Sequence, residues 1–149
     1  MGLDMYLYKR KYVKNWEHTP EEDRHTVTVE HKGKVLTQWD NPIYITKEVA
    51  YWRKFNALHG FIVEHFNNGK DDCSPIPLNL EDLKTIHNQL VKTIKENNPE
   101  LLPPTSGFFF GNTEVDDYYW SDISDAINTF VEIINMEDKD VIYEYHASW

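Results

Sequence analysis

The tract Tyr51-Trp52-Arg53-Lys54-Phe55-Asn56-Ala57-Leu58-His59-Gly60 gathers the residue types that do chemistry. Read as a helix, it puts Trp52, Asn56 and His59 at i, i+4 and i+7, on one ridge. Arg53 stands three residues before Asn56 and reaches the same ridge. The set offers a stacking plane, a fixed cation, an amide and a titratable ring. Such a set suits a planar, anionic, hydrogen-bonding ligand such as a nucleotide. The competing reading is structural. An imidazole on an apolar face is more often a hydrogen-bonded core residue, and Asn56 one turn away offers it a partner. Gly60 projects close to Arg53 and opens space there, at a helix cost of about 1 kcal/mol relative to Ala.

Two further segments carry candidate groups. Lys70-Asp71-Asp72-Cys73 sets two carboxylates beside the single cysteine of the chain. Calcium takes about six to eight oxygens from a spaced ladder of donors, and zinc needs Cys and His at metal spacing. Neither pattern is present, so no metal and no other cofactor is expected. The acids would raise the Cys73 thiol pKa, which counts against a Cys–His nucleophile. In Gly107-Phe108-Phe109-Phe110-Gly111, three successive rings cannot face one way, so at least one turns toward a pocket or an interface. Gly111-Asn112-Thr113 lacks the Lys and the spacing of a phosphate-binding loop. Asp116, Asp117, Tyr118 and Trp120 open a helix, where acids suit the dipole. His87 lies in an apolar stripe without polar company and reads as structural.

The elements that position these residues follow from pattern. Residues 3–13 alternate and read as a strand, with Asp4 as a turn residue at its start. Val27–Trp39 alternates on both sides of Gly33 and reads as a hairpin. Asn41-Pro42 breaks the chain before a short extended piece at 43–45. Thr46 is the expected N-cap of a long helix over 47–66, ended by the left-handed turn Asn67-Asn68-Gly69. A proline-bearing loop covers 70–79. Asn79 caps a second helix over 80–97, and a third spans 118–136. A last strand covers 141–149. The order lacks a regular β-α-β rhythm. The expected fold is therefore α+β: one domain over 1–149, a small mainly antiparallel sheet with three helices packed against it.

Composition limits the function classes. Fifteen basic residues against twenty-five acidic give a net charge of -10, which opposes nonspecific binding to nucleic-acid backbones. One cysteine excludes an intrachain disulfide. No apolar run is long enough to span a membrane, and the opening lacks the layout of a secretion signal, so a cytoplasmic protein is expected. Aromatics make up 14% of the chain, more than a minimal core needs, and stacking surfaces use such rings.

The tracts YWRKFNALHGFIVEHFNNGKDDC and LLPPTSGFFFGNTEVDDYYWSDISDAI, the opening MGLDMYL and the terminal Trp together resemble a family of small uncharacterised bacteriophage and prophage proteins. The likeness covers about two thirds of the chain. It implies that Trp52, Arg53, Asn56, His59, Asp72, Cys73, Gly107, Phe108, Phe109, Gly111, Asp117 and Tyr118 matter together. The chain departs from it at Ser74-Pro75, where the family has a glycine soon after the cysteine. A phage setting implies an accessory role in the host cytoplasm, such as host takeover or neutralising a host nucleotide signal.

Three functions are weighed. The leading one is noncatalytic binding of a small, planar, anionic, nucleotide-like ligand between the long helix and the Phe-rich segment. Trp52, Arg53, Asn56, His59, Asp72, Cys73, Phe108, Phe109, Asp117 and Tyr118 are its candidate contacts. The alternative is an interaction module that blocks a host protein through acidic and aromatic surface. The third is a small hydrolase or lyase with His59 as base and Asp72 or Asp117 orienting it.

Overall fold

A computed structural model describes residues 2–149. Its main sheet has four strands in the order β4-β1-β6-β5, every neighbouring pair antiparallel. β1 is Asp4–Tyr12, β4 Tyr44–Arg53, β5 Ile76–Leu78 and β6 Val141–Ser148. The hairpin strands β2 (Val27–His31) and β3 (Lys34–Trp39) form a separate two-stranded sheet, turned at Gly33 with φ 76°. Helices α1 (Asn56–Phe66), α2 (Leu80–Lys95) and α3 (Asp117–Asn135) complete the α+β fold. No helix among the described residues is long and apolar enough to cross a membrane.

Alternation decides which side of the sheet meets the helices. Met5 and Leu7 of β1, with Tyr143, Tyr145 and Ala147 of β6, point inward and are buried. They join Leu58 and Ile62 of α1, Leu83, Ile86 and Leu90 of α2, and Ile123, Phe130 and Ile133 of α3 in one core. α2 starts as expected: Asn79 Oδ1 accepts from the Asp82 N–H, and Asp82 returns a bond to the Asn79 N–H. Asp116 caps α3 by accepting from Tyr119 N. Asp4 opens β1 and accepts a 2.5 Å hydrogen bond from the Tyr51 hydroxyl.

The long helix over 47–66 is the main correction. Residues 44–53 are strand, paired with β1 from Asp4↔Arg53 to Tyr12↔Tyr44. Thr46 therefore lies within β4 and caps nothing. The tract holds Thr46, Val49, Tyr51 and Trp52, which favour a pleated surface, and an open edge of β1 claims it. The chain then turns at Lys54, which takes a left-handed φ of 57°, and α1 begins at Asn56. The four-residue ridge is consequently divided: Trp52 and Arg53 are strand residues, while Asn56 and His59 are helical. β5 is the second correction, since it lies inside the expected loop 70–79.

Candidate functional site

Asn56 sits in the first turn of α1, buried, with its whole amide engaged. Its Oδ1 accepts from the Thr105 N–H at 3.0 Å. Its Nδ2 donates to the carbonyls of Phe110 at 3.1 Å and Asn112 at 2.9 Å. Both donors of the amide are thus in use. One side chain fastens both ends of the 105–112 segment to the helix. That segment is a loop. Phe109 takes a left-handed φ of 69°, and Leu3 N donates to its carbonyl. The three rings point different ways, in a loop rather than by strand alternation: Phe110 is buried, Phe109 is partly covered, and Phe108 is 78% exposed.

One turn on, His59 is 1% exposed and bonded at both nitrogens. Nδ1 lies 2.7 Å from the Tyr145 hydroxyl and Nε2 3.0 Å from Asp71 Oδ2. A carboxylate only accepts, so in the neutral ring Nε2 carries the proton. Nδ1 then accepts from the Tyr145 O–H. The ring also meets Phe110 edge-on at 5.0 Å and Trp149 at 5.7 Å. Asn56 and His59 therefore tie the loop and the last strand to α1. Gly60 beside them has a steric reason: a Cβ there would stand 1.9 Å from Thr105 Oγ1. The space that Gly60 leaves is filled by Thr105 rather than lying near Arg53.

Burial raises the Tyr145 pKa well above 10.0, and the Asp71 charge adds to the effect. Burial likewise raises Tyr119, to about 12, and Tyr143. In the unfolded chain these phenols ionise near their ordinary pKa of about 10. Above that pH the unfolded state binds fewer protons than the native one, so stability falls as pH rises toward the native values. Each such tyrosine contributes up to about 1.4 kcal/mol per pH unit there. Urea midpoints measured from neutral to strongly alkaline pH should drop from about pH 10 upward, and Tyr145→Phe should make that drop shallower.

Two cavities flank the Asn56–His59 turn. The larger, about 400 Å³, is walled by α1 from Ala57 to His65, by Gly69 and Asp71, and by Pro103 and Thr105. Phe61 and His65 form a stacked pair in its wall, ring centres 4.4 Å apart. Its carboxylates are Glu64 and Asp71, and no Lys or Arg lines it. The smaller, about 200 Å³, lies where the β4–α1 turn meets the start of α3.

The sequence candidates are distributed as follows. His59 lines the larger cavity; Arg53, Asn56 and Tyr118 line the smaller. The Arg53 side chain is 57% exposed, with Asp4 at 3.8 Å. Trp52 points inward and stacks on Phe130 at 5.6 Å, joining β4 to α3. Asp72, Cys73, Phe108, Phe109 and Asp117 line neither cavity. Asp72 faces Lys70 and Ser74, which lower its pKa to about 2. Asp117 is exposed in the first turn of α3. Cys73, partly buried, takes a left-handed φ of 60° in the same turn as Asp72. His87 is half-buried on α2, 3.3 Å from Asn88 Oδ1.

Sequence reasoning missed Asp71 and Tyr145. It assigned the orienting carboxylate to Asp72 or Asp117, whereas Asp71 holds the ring. Tyr145 carried one readable signal, its inward position between Tyr143 and Ala147. Compared with known proteins, the chain matches no family model, no curated protein and no solved structure.

Proposed function

We propose that the protein is a noncatalytic accessory protein, of the phage type its motifs resemble and acting in the host cytoplasm, that holds one small planar molecule in the 400 Å³ cavity. The observation that carries this reading is the cavity itself. Its volume falls in the range of small-molecule sites, roughly 300–1,000 Å³. Its wall offers the stacked Phe61–His65 pair to a flat ring and two carboxylates to N–H donors. The anionic ligand expected from the sequence depended on Arg53 sharing a cavity with His59. Arg53 lies elsewhere, and two carboxylates without a cation repel a phosphate. The proposed ligand is therefore a neutral or cationic planar compound, such as a nucleobase or nucleoside.

The geometry favours binding over hydrolysis. A general base needs a lone pair within reach of substrate. The one on His59 is occupied by the buried Tyr145 hydroxyl. A second reading, a protein-blocking module, draws support from the hairpin, where Val35, Leu36 and Trp39 are exposed.

Thermal-shift measurements with adenine, adenosine and AMP test the binding reading. Saturation at about 100 Kd adds roughly 2.7 kcal/mol, which raises Tm by about 5–10 °C in a chain of this size. Adenine or adenosine should produce such a shift, AMP a smaller one, and Phe61→Ala should abolish it. No shift with any of the three, or the largest shift with AMP, would count against the reading.

A further inference from the structure

The 200 Å³ cavity carries both signs of charge. Arg53 and Lys54 reach it from the β4–α1 turn; Glu114, Asp116 and Asp122 reach it from the loop before α3 and its early turns. Among the described residues no ion pair joins the two groups. On the cationic side both side chains are exposed, Arg53 has Asp4 3.8 Å from its Nε, and the Lys54 backbone and stem are held by their neighbours. Lys54 N donates to the Leu3 carbonyl at 2.7 Å, and the Lys54 stem runs between two glycines: a Cβ on Gly2 would stand 3.2 Å from Lys54 Cε, and one on Gly111 3.3 Å from Lys54 Cβ. The anionic side lacks a counter-charge. Asp116 uses one oxygen to cap α3. Asp122 lies at the surface with its carboxyl partly shielded from water, and that desolvation first, then the charges of Asp125 and Asp116, raises its pKa.

A simple anion entering here meets three carboxylates, and a simple cation meets Arg53 and Lys54. A molecule bearing both charges a few bonds apart satisfies both walls. The volume lies below the drug-sized range of roughly 300–1,000 Å³, so the occupant has few heavy atoms. We propose that this cavity binds a small zwitterion of the α-amino-acid class, its carboxylate toward Arg53 and Lys54 and its ammonium toward Asp116 and Asp122. The site is separate from the 400 Å³ cavity, and neither proposal depends on the other.

Calorimetric titration with each of the twenty common L-amino acids tests it, with acetate and methylammonium as half-ligand probes. At least one amino acid should bind about tenfold or more tighter than either half-probe. Arg53→Gln and Asp122→Asn should each weaken that binding by about tenfold or more, since each removes one of the two charges that face a ligand group. Both side chains are at the surface, so both variants should keep the parent Tm without ligand. The proposal is overturned if no amino acid binds, if a half-probe binds as well as the best amino acid, or if both variants bind like the parent.

Discussion

Asn56→Ala should lower the free energy of unfolding by about 3–5 kcal/mol, the largest loss expected from any single polar substitution in this chain. The substitution removes two donors and one acceptor at once. It strands the Thr105 N–H and the carbonyls of Phe110 and Asn112. A buried backbone group left without a partner costs about 1–3 kcal/mol, and water reaching the loop edge offsets part of that. A domain is stable by only about 5–15 kcal/mol, so the variant should sit near the threshold of folding. Asn56→Asp separates shape from hydrogen bonding. It keeps the acceptor for Thr105 but sets a carboxylate against two carbonyl oxygens, so it should be no more stable than the alanine variant. Urea denaturation gives both numbers. If Asn56→Ala cost under about 1 kcal/mol, the role of this side chain as the fastener of the 105–112 segment would be refuted.

The second large effect concerns the pair His59 and Tyr145. His59→Phe keeps a ring of similar size, yet it should cost about 2–4 kcal/mol, because the buried Tyr145 hydroxyl loses its acceptor while Asp71 turns to water. The side chain of Asp71 is 30% exposed and can rehydrate; Tyr145 cannot. Adding Tyr145→Phe to His59→Phe removes the stranded hydroxyl. The double variant should therefore be more stable than His59→Phe alone, since replacing both partners by apolar groups of like shape is close to neutral. The comparison is a double-mutant cycle read by urea midpoints. A double variant weaker than either single one would mean that the two side chains contribute independently of their hydrogen bond.

Much of the architecture was legible because local signals agreed with the final packing. Gly33 marked the hairpin and Asn79 the start of α2. The β4–α1 boundary was illegible for a physical reason. Tyr51, Phe55, Leu58, Ile62 and Phe66 fall in one arc at helical spacing, so the pattern runs on through the true break. That break is at Lys54, with neither Gly nor Pro to mark it, and pairing with β1 decides it. β5 was hidden by Pro77 within it and Pro75 just before it. As an edge strand it carries Pro77 opposite Glu144 without disrupting the sheet.

The site was legible in its residues and illegible in its grouping. Asn56 and His59 stood out as polar groups on an inward face, and both are buried and fully bonded. Which residues bond them depends on contacts 12 to 86 positions away, which no local pattern encodes. Arg53 was grouped with His59 through a ridge that β4 dissolves. Asp71 and Asp72 are adjacent in sequence, and only the turn after α1 decides which faces the imidazole.

The most direct measurement is a ¹H–¹⁵N amide titration of the labelled protein with adenine, adenosine and benzamidine in turn. At least one of them should shift the amides of Gly60, Phe61, His65, Gly69 and Thr105 together, leaving those of Val35 and Leu36 in the hairpin unmoved. If all three leave the cavity amides in place, or move only the hairpin, the cavity is not a ligand site and the central claim fails.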